Sequence, residues 1–226
     1  MSSGLVRAFL LVVTQSSILL MWAAPAAAQA DEPIPYFAVD ARASLAFYGQ
    51  NDEIASSLAV VRTTLPSRGI GFEAGAHVYP FRFRAITFGF GGSIHASGAE
   101  NTPATPEGQT GSAAPPPVRT TFRAFNPQLS FNFGKREGWS YVSGGIGSTT
   151  LTIEKIVANA APTVDVEGRR AKTINYGGGA RWFTNDHLAF TVDVRFYAIS
   201  PLSASATAPA RPRMTLVVLN VGASFK

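Results

Sequence analysis

The sequence predicts an all-β chain that folds as an eight-stranded antiparallel up-and-down barrel. The first supporting observation is the stretch Leu188 to Ala198, where apolar residues alternate with polar or small ones. Side chains in a strand alternate between faces, so this period of two gives one apolar and one polar face. The second observation is that short and long connections alternate between the predicted strands. Such alternation places all short turns at one end of the barrel and all long loops at the other.

The first four predicted strands alternate apolar residues with polar or small ones. Gln50 to Arg68 is a long polar-to-mixed connection between the first two strands. Pro80 to Arg84 predicts a tight turn, because proline cannot donate to the hydrogen-bond ladder. Gly98 to Pro117 is rich in Pro, Thr, Ser and Gly and predicts a long loop. The strands themselves are predicted over Tyr36–Tyr48, Gly69–Tyr79, Ala85–Ser97 and Val118–Phe133.

The last four strands follow the same pattern, although glycines blur the faces of the fifth. Gly134 to Gly138 and Thr184 to His187 predict short turns, and Glu154 to Arg170 and Ser200 to Pro212 predict long loops. With an even strand number, both chain ends share the short-turn end, which is the layout of bacterial outer-membrane barrels. The strands are predicted over Trp139–Ile153, Ala171–Phe183, Leu188–Ala198 and Arg213–Phe225.

Composition limits the alternatives. The 226 residues include no cysteine, which excludes disulfides, thiolate metal sites and cysteine nucleophiles.

Residues 1–30 predict a cleaved export signal. Arg7 is the only charge before Asp31, an apolar stretch follows it, and Ala28 to Ala30 offers a small-x-small cleavage pattern. Residues 31–226 are then expected to form one domain. The net charge of +5 is too small to indicate nucleic-acid binding.

Two classes of barrel share this alternation. A soluble periplasmic or secreted calyx would point its apolar residues inward to bind an apolar ligand, whereas a transmembrane barrel points them at lipid. The polar faces are rich in small residues, which suits the narrow interior of an eight-stranded barrel. We therefore expect a transmembrane barrel with short periplasmic turns and long extracellular loops. The small polar-face residues are Gly71, Gly75, Gly89, Gly91, Ser93, Gly177 and Gly179.

Three sets of residues follow from this orientation. Inward charges of both signs predict one ionic network in the lumen, since isolated charges are costly there. It comprises Asp40, Arg42, Glu73, His77, Arg181, Asp193 and Arg195. Aromatic residues at the short-turn end predict a girdle at the periplasmic membrane interface. It comprises Phe37, Phe81, Phe83, Phe133, Trp139, Tyr141, Trp182 and Phe225.

The last strand carries the third set, an alternating apolar series that ends in an aromatic residue one position before Lys226. The series is Val217, Leu219, Val221, Ala223 and Phe225. It resembles the C-terminal strand that the barrel assembly machinery recognises in outer-membrane proteins. With the export signal and the loop alternation, the chain resembles the small outer-membrane barrels of the OmpA transmembrane domain and OmpX type. The resemblance implies membrane insertion, a filled lumen and roles in adhesion, defence or envelope integrity.

Candidate chemistry is sparse. His95 and Ser97 resemble the His-x-Ser pair of a class of lipid A-modifying barrel enzymes, yet both have inward parity, whereas that class presents its pair to lipid. No pattern indicates a metal or cofactor site. Basic residues in or beside the long loops could contact lipopolysaccharide phosphates, or could form a solvated rim. They are Arg119, Arg123, Lys155, Arg169, Arg170, Lys172, Arg211 and Arg213.

The sequence therefore predicts a non-enzymatic, monomeric outer-membrane barrel with a structural or loop-mediated interaction role. Its expected partners are outer-membrane lipids, lipopolysaccharide, the assembly machinery and an extracellular partner of the loops, with no nucleic acid. A calyx, a lipid A esterase and a narrow pore remain as alternatives.

Overall fold

A computed structural model describes residues 33–103, 116–156, 169–204 and 210–226. The predicted export signal, residues 1–30, lies outside this part of the chain. Eight antiparallel strands pair in sequence order, and the last pairs with the first, so the sheet closes into a barrel. The strands are β1 (Phe37–Phe47), β2 (Arg68–Phe83), β3 (Ile86–Asn101), β4 (Val118–Lys135), β5 (Gly138–Lys155), β6 (Arg170–Phe183), β7 (Leu188–Ile199) and β8 (Met214–Phe225).

Short connections follow β2, β4 and β6, and long ones follow β1, β3, β5 and β7. We call the two ends of the barrel the short-turn end and the loop end. The turn predicted over Pro80 to Arg84 is wrong, because β2 continues to Phe83 and only Arg84 and Ala85 turn the chain. Arg84 has a φ of 55°, as the first turn residue of a tight hairpin requires. A register shift between Val78 and Phe81 absorbs Pro80, which has no N–H for the ladder.

The apolar sides of the strands face outward. Ile70, Phe125 and Ile146 are more than half exposed, whereas Asp193 and Arg195 are only 1% exposed. An outer surface of this kind is what a membrane barrel presents to lipid. A soluble calyx needs the opposite orientation, so the calyx alternative is wrong for this chain.

The connection after β1 contains a short helix that the sequence analysis did not predict. Helix α1 spans Asp52–Ser57, and the Asn51 side chain caps it by accepting hydrogen bonds from the backbone N–H groups of Glu53 and Ile54. Ile54 is buried and packs into the loop end of the lumen. This connection therefore covers the lumen. Among the described residues, no helix has the length and apolar character needed to cross a bilayer.

Candidate functional site

The centre of the lumen holds an ionic layer, which we define as Asp40, Arg42, Glu73, His77, Arg181, Asp193 and Arg195. Its best-defined contact joins β6 to β1. The Arg181 guanidinium donates from Nε to Oδ1 of Asp40 at 3.0 Å and from Nη2 to Oδ2 at 2.6 Å. Such a two-pronged geometry is the strong form of an arginine–carboxylate contact. Arg181 also donates to Ser224 Oγ at 3.1 Å and lies over the Tyr141 ring, 4.5 Å from its centroid.

Arg42 connects the carboxylates of β1 and β2. Its Nη2 lies 2.9 Å from Asp40 Oδ1, and its Nη1 lies 2.6 Å from Glu73 Oε1. The same Nη2 donates to the Tyr141 hydroxyl at 3.2 Å. Tyr141 in turn donates to Asp193 Oδ2 at 2.8 Å. The tyrosine hydroxyl thus links the two halves of the layer.

The second half of the layer centres on Asp193. Arg195 donates from Nη2 to Asp193 Oδ2 at 2.9 Å and to Ser143 Oγ at 3.0 Å. Asn220 Nδ2 donates to Asp193 Oδ1 at 3.0 Å. Every oxygen of this carboxylate is therefore hydrogen-bonded, as a buried charge requires.

The charges of the layer balance. Three arginines face three carboxylates, and each of these six side chains is at most 5% exposed. His77 lies beside them, with Nδ1 at 3.7 Å from Asp40 Oδ2. In a lumen of low dielectric constant an unpaired charge would be expensive, whereas these charges each meet an opposite one. The predicted network residues thus lie together in the structure.

Below the ionic layer, at the short-turn end, lies a floor cluster of Ile34, Ala38, Tyr79, Trp139 and Tyr141. The girdle prediction is wrong for Trp139 and Tyr141, which are 3% and 5% exposed and point into the lumen. They share the inward parity of Ser143 on β5, and inward glycines make room for them. A Cβ atom on Gly179 would lie 2.7 Å from the Tyr141 hydroxyl oxygen.

Above the ionic layer, at the loop end, lies an apolar roof cluster. It contains Ala46, Tyr48, Ile54, Ala55, Leu65, Val118, Phe122, Ala124, Leu151, Ala171, Tyr197, Ile199, Met214, Leu216 and Val218. The Phe122 and Tyr197 rings meet edge to face with their centroids 5.2 Å apart. Tyr197 also donates to Glu73 Oε2 at 3.5 Å, which ties the roof to the ionic layer. Side chains therefore fill the lumen at three levels.

The His95 and Ser97 pair lies inside the barrel at the level of the roof cluster, since His95 pairs in register with Ala124 and Ser97 with Phe122. His95 Nε2 is 3.0 Å from Ser97 Oγ, and the Tyr48 hydroxyl donates to the same oxygen at 2.9 Å. His95 and Ser97 are 3% and 6% exposed. Burial raises the pKa of the Tyr48 phenol, so that its hydroxyl stays protonated and available as a donor. The pair is closed off from the lipid face, where a lipid substrate would arrive.

The other girdle residues face outward at the short-turn end. They are Phe37, Phe81, Phe83, Phe133, Trp182 and Phe225, each 42% exposed or more. The Trp182 and Phe190 rings stack across β6 and β7 with centroids 6.1 Å apart. The alternating series of β8, from Val217 to Phe225, lies on the outer face between β1 and β7. Its recognition by the assembly machinery stays a prediction.

The structure divides the basic residues of the loop end into two groups. The side chains of the first group contact other residues of this protein. Arg119 pairs with Glu100 at 3.0 Å, Arg169 donates to Ser203 O, and Arg211 donates to Leu151 O. Lys155 also donates to a backbone oxygen, that of Ala59. The second group, whose side chains make no hydrogen bond or ion pair within the described residues, is Arg123, Arg170, Lys172 and Arg213.

Sequence reasoning missed the uncharged members of the lumen network. Tyr141, Ser143, Tyr197, Asn220 and Ser224 supply the hydrogen bonds that the charges alone cannot make. Their inward parity was available as a signal, since Tyr197 shares the face of Asp193 and Arg195 on β7.

In the described ranges, no group of three or more His, Cys, Asp or Glu residues is arranged to hold a metal ion.

Comparison with solved structures finds small bacterial outer-membrane proteins. Neisserial surface protein A aligns with 86% of this chain and 99% of its own, at 11% identity and a TM-score of 0.48. OprG from Pseudomonas aeruginosa aligns with 86% and 97%, at 10% identity and a TM-score of 0.47. Ail of Yersinia pestis, in complex with the heparin analogue sucrose octasulfate, aligns with 84% and 95%, at 12% identity and a TM-score of 0.44.

Comparison with curated protein sequences gives no significant match. The sequence profile of the outer membrane protein β-barrel domain, however, matches residues 16–225, which is nearly the whole chain. The closed eight-stranded antiparallel barrel and its outward apolar surface agree with that assignment. This chain therefore belongs to the outer membrane protein β-barrel family.

Proposed function

We propose that this protein is a non-conducting, non-enzymatic barrel that anchors its long connections at the cell surface. In this role it contributes to envelope integrity, adhesion or surface binding through the loops. It acts as a monomer in contact with outer-membrane lipids and lipopolysaccharide, after insertion by the barrel assembly machinery. It needs no cofactor and binds no nucleic acid.

The observation that carries this proposal is the filling of the lumen. The floor cluster, the ionic layer and the roof cluster occupy successive levels of the same interior. Helix α1 adds Ile54 and Ala55 to the roof. A continuous water path would have to cross the aromatic floor cluster and the apolar roof cluster, whose side chains already occupy the interior. This arrangement favours a structural role over the narrow-pore alternative.

The absence of an enzymatic role is part of the proposal. His95 and Ser97 lie within hydrogen-bond distance, but both are buried inside the barrel among roof-cluster residues. A nucleophile must reach its substrate, and an acyl chain in the membrane cannot pass through the barrel wall. The hydrogen bond from Tyr48 favours a structural role for Ser97, which joins β3 to the chain directly after β1.

The proposal predicts no steady ion conductance. The purified chain, folded in detergent and reconstituted into planar lipid bilayers, should leave the membrane current at the level of protein-free bilayers. The physical reason is that Arg181, Trp139 and Phe122 all occupy the interior. Liposome swelling with small sugars measures the same property without an applied voltage.

The absence of conductance supports the proposal only when the protein is folded and inserted in the membrane. Heat-modifiable gel mobility and protease protection in the same vesicles establish that the barrel has inserted. A stable unitary conductance in planar bilayers that changes when Arg195 is replaced by Met would contradict the proposal and favour the pore.

A further inference from the structure

The outer face of β4, β5 and β6 carries a row of polar side chains just above the lipid-facing apolar band. Arg123 pairs in register with Thr150, and Thr150 pairs with Arg170, so the three residues form one row across adjacent strands. Ser148 and Lys172 pair in the next row toward the band. Below them lies Ile146, which is 60% exposed.

These positions face outward. Arg123, Arg170 and Lys172 are all exposed, and Arg123 and Lys172 share the parity of the outward residues Phe125 and Ile174. Thr150 and Ser148 are partly buried between them. The row thus presents cations and hydroxyls side by side, on the membrane side of the barrel wall.

The described chain supplies no counter-charge for these cations. The side chains of Arg123, Arg170 and Lys172 make no ion pair or hydrogen bond there. The outward carboxylates of this region lie beside Arg119. Glu100 on β3 forms an ion pair with Arg119 at 3.0 Å, and Glu154 on β5 is its cross-strand partner. Within the described residues, these three cations therefore lie on the outer barrel wall without a partner carboxylate.

Strand spacing allows the cations to act together. Neighbouring strands lie about 4.8 Å apart, so the backbones at Arg123 and Arg170 are about 10 Å apart with Thr150 between them. Two long side chains on either side of a small one can hold two phosphate groups of one lipid above it. Guanidinium groups match phosphate oxygens in planar geometry, and a hydroxyl adds a further donor.

We propose that Arg123, Arg170 and Lys172 bind the phosphate groups of lipid A, with Thr150 and Ser148 as additional donors. Lipid A is favoured over soluble phosphates because it places its phosphates directly above its acyl chains, as the row lies directly above the apolar band, and over phospholipids because it carries two phosphates. The site is at the loop end, which faces the lipopolysaccharide leaflet in this family. This assignment rests on that proposed orientation and on lipid contact, and is independent of whether the lumen conducts.

The test measures lipid A binding to the folded chain in detergent by native mass spectrometry. The double variant Arg123→Gln/Arg170→Gln should bind bis-phosphorylated lipid A at least about tenfold more weakly than the unaltered chain, since two charge-assisted contacts are lost. The matched control is Arg68→Gln/Arg213→Gln, which removes the same charge from two other exposed loop-end positions. It should change the affinity less than about twofold, the level expected of nonspecific attraction.

Further probes identify the ligand. Dephosphorylated lipid A and phosphatidylglycerol should each bind at least about tenfold more weakly than lipid A to the unaltered chain, because neither offers the paired phosphates that two guanidinium groups can clamp. Equal losses in the test and control variants, or equal affinity for phosphatidylglycerol, would overturn the site. Gel mobility shows that each variant is folded. Conductance measured on the same samples separates failure of the closed lumen from failure of this site.

Discussion

The ionic layer and the roof cluster occupy the same lumen and come from the same inward face of the same strands. On β7, Asp193 and Arg195 belong to the ionic layer, whereas Tyr197 and Ile199 belong to the roof. Along β8, the neighbouring inward residues change in the same way, from Asn220 to Val218. The alternation along each strand therefore decides which side chains enter the lumen. The position along the strand decides whether they lie in the ionic layer or in the roof cluster.

The two levels should respond differently to mutation. In the ionic layer, each charge is tolerated because an opposite charge is in contact with it. Removing one member of a pair therefore leaves a buried charge that is no longer fully compensated. In the roof cluster, each side chain contributes by filling volume, and a truncation leaves a cavity that no second truncation can repair. Rescue by a second substitution is thus the property that separates the two levels.

The largest effect is expected for Arg181→Met, which leaves the Asp40 carboxylate without its two-pronged partner. We expect the free energy of unfolding to fall by about 4 kcal/mol, as for other buried pairs that lose one member. Asp40→Asn in the same chain should restore most of it, because the layer then again holds equal numbers of arginines and carboxylates. Urea unfolding in lipid vesicles, followed by tryptophan fluorescence, measures both variants.

A matched control keeps the charge and changes only its shape. Arg181→Lys retains a cation near Asp40 but cannot make both contacts, so its loss of stability should lie between zero and that of Arg181→Met. If Asp40→Asn deepened the defect of Arg181→Met, the coupling between these residues would be disproved.

An intermediate effect is expected in the roof cluster for Leu216→Ala. Leu216 is fully buried, and its truncation should lower the free energy of unfolding by about 3 kcal/mol through lost contacts and a residual cavity. Leu216→Met, which conserves volume, should cost less than about 1.5 kcal/mol. Adding Val218→Ala to Leu216→Ala should increase the loss. Recovery in that double variant would contradict a volume-filling role.

Sequence periodicity predicted the strands and their orientation closely, because a barrel wall repeats one simple pattern. For example, β7 is predicted over Leu188 to Ala198 and observed over Leu188–Ile199. The inward placement of Trp139 and Tyr141 was missed because Gly144, Gly145 and Gly147 carry no side chain that marks a face. Space for these two rings depends on the neighbouring strand β6, as at Gly179, and a single strand's pattern cannot reveal it.

Helix α1 was missed for a different reason. Its capping residue Asn51 and the acidic residues Asp52 and Glu53 are local signals of a helix start, but the helix is too short to show a repeating apolar stripe. Its stability comes from packing Ile54 and Ala55 onto the barrel interior, which is a tertiary contact. The bidentate partner of Asp40 likewise lies 141 residues away, so the sequence indicated a set of charges but not their pairing.

The smallest effect is expected for Arg119 and Glu100, an ion pair of the same type placed outside the barrel. Their contact is 3.0 Å, close to the distances in the ionic layer, but the side chains are 50% and 44% exposed. Water screens both charges whether or not they meet, so the coupling energy from Arg119→Met, Glu100→Gln and the double variant should be at most about 1 kcal/mol. Raising the salt concentration from about 0.1 M to about 1 M shortens the screening length from about 10 Å to about 3 Å and should abolish this coupling. The coupling of Arg181 with Asp40 should persist under the same change, because these two side chains are 1% and 0% exposed. Equal salt sensitivity of the two pairs would mean that solvent enters the ionic layer, and the closed lumen would then have to be abandoned.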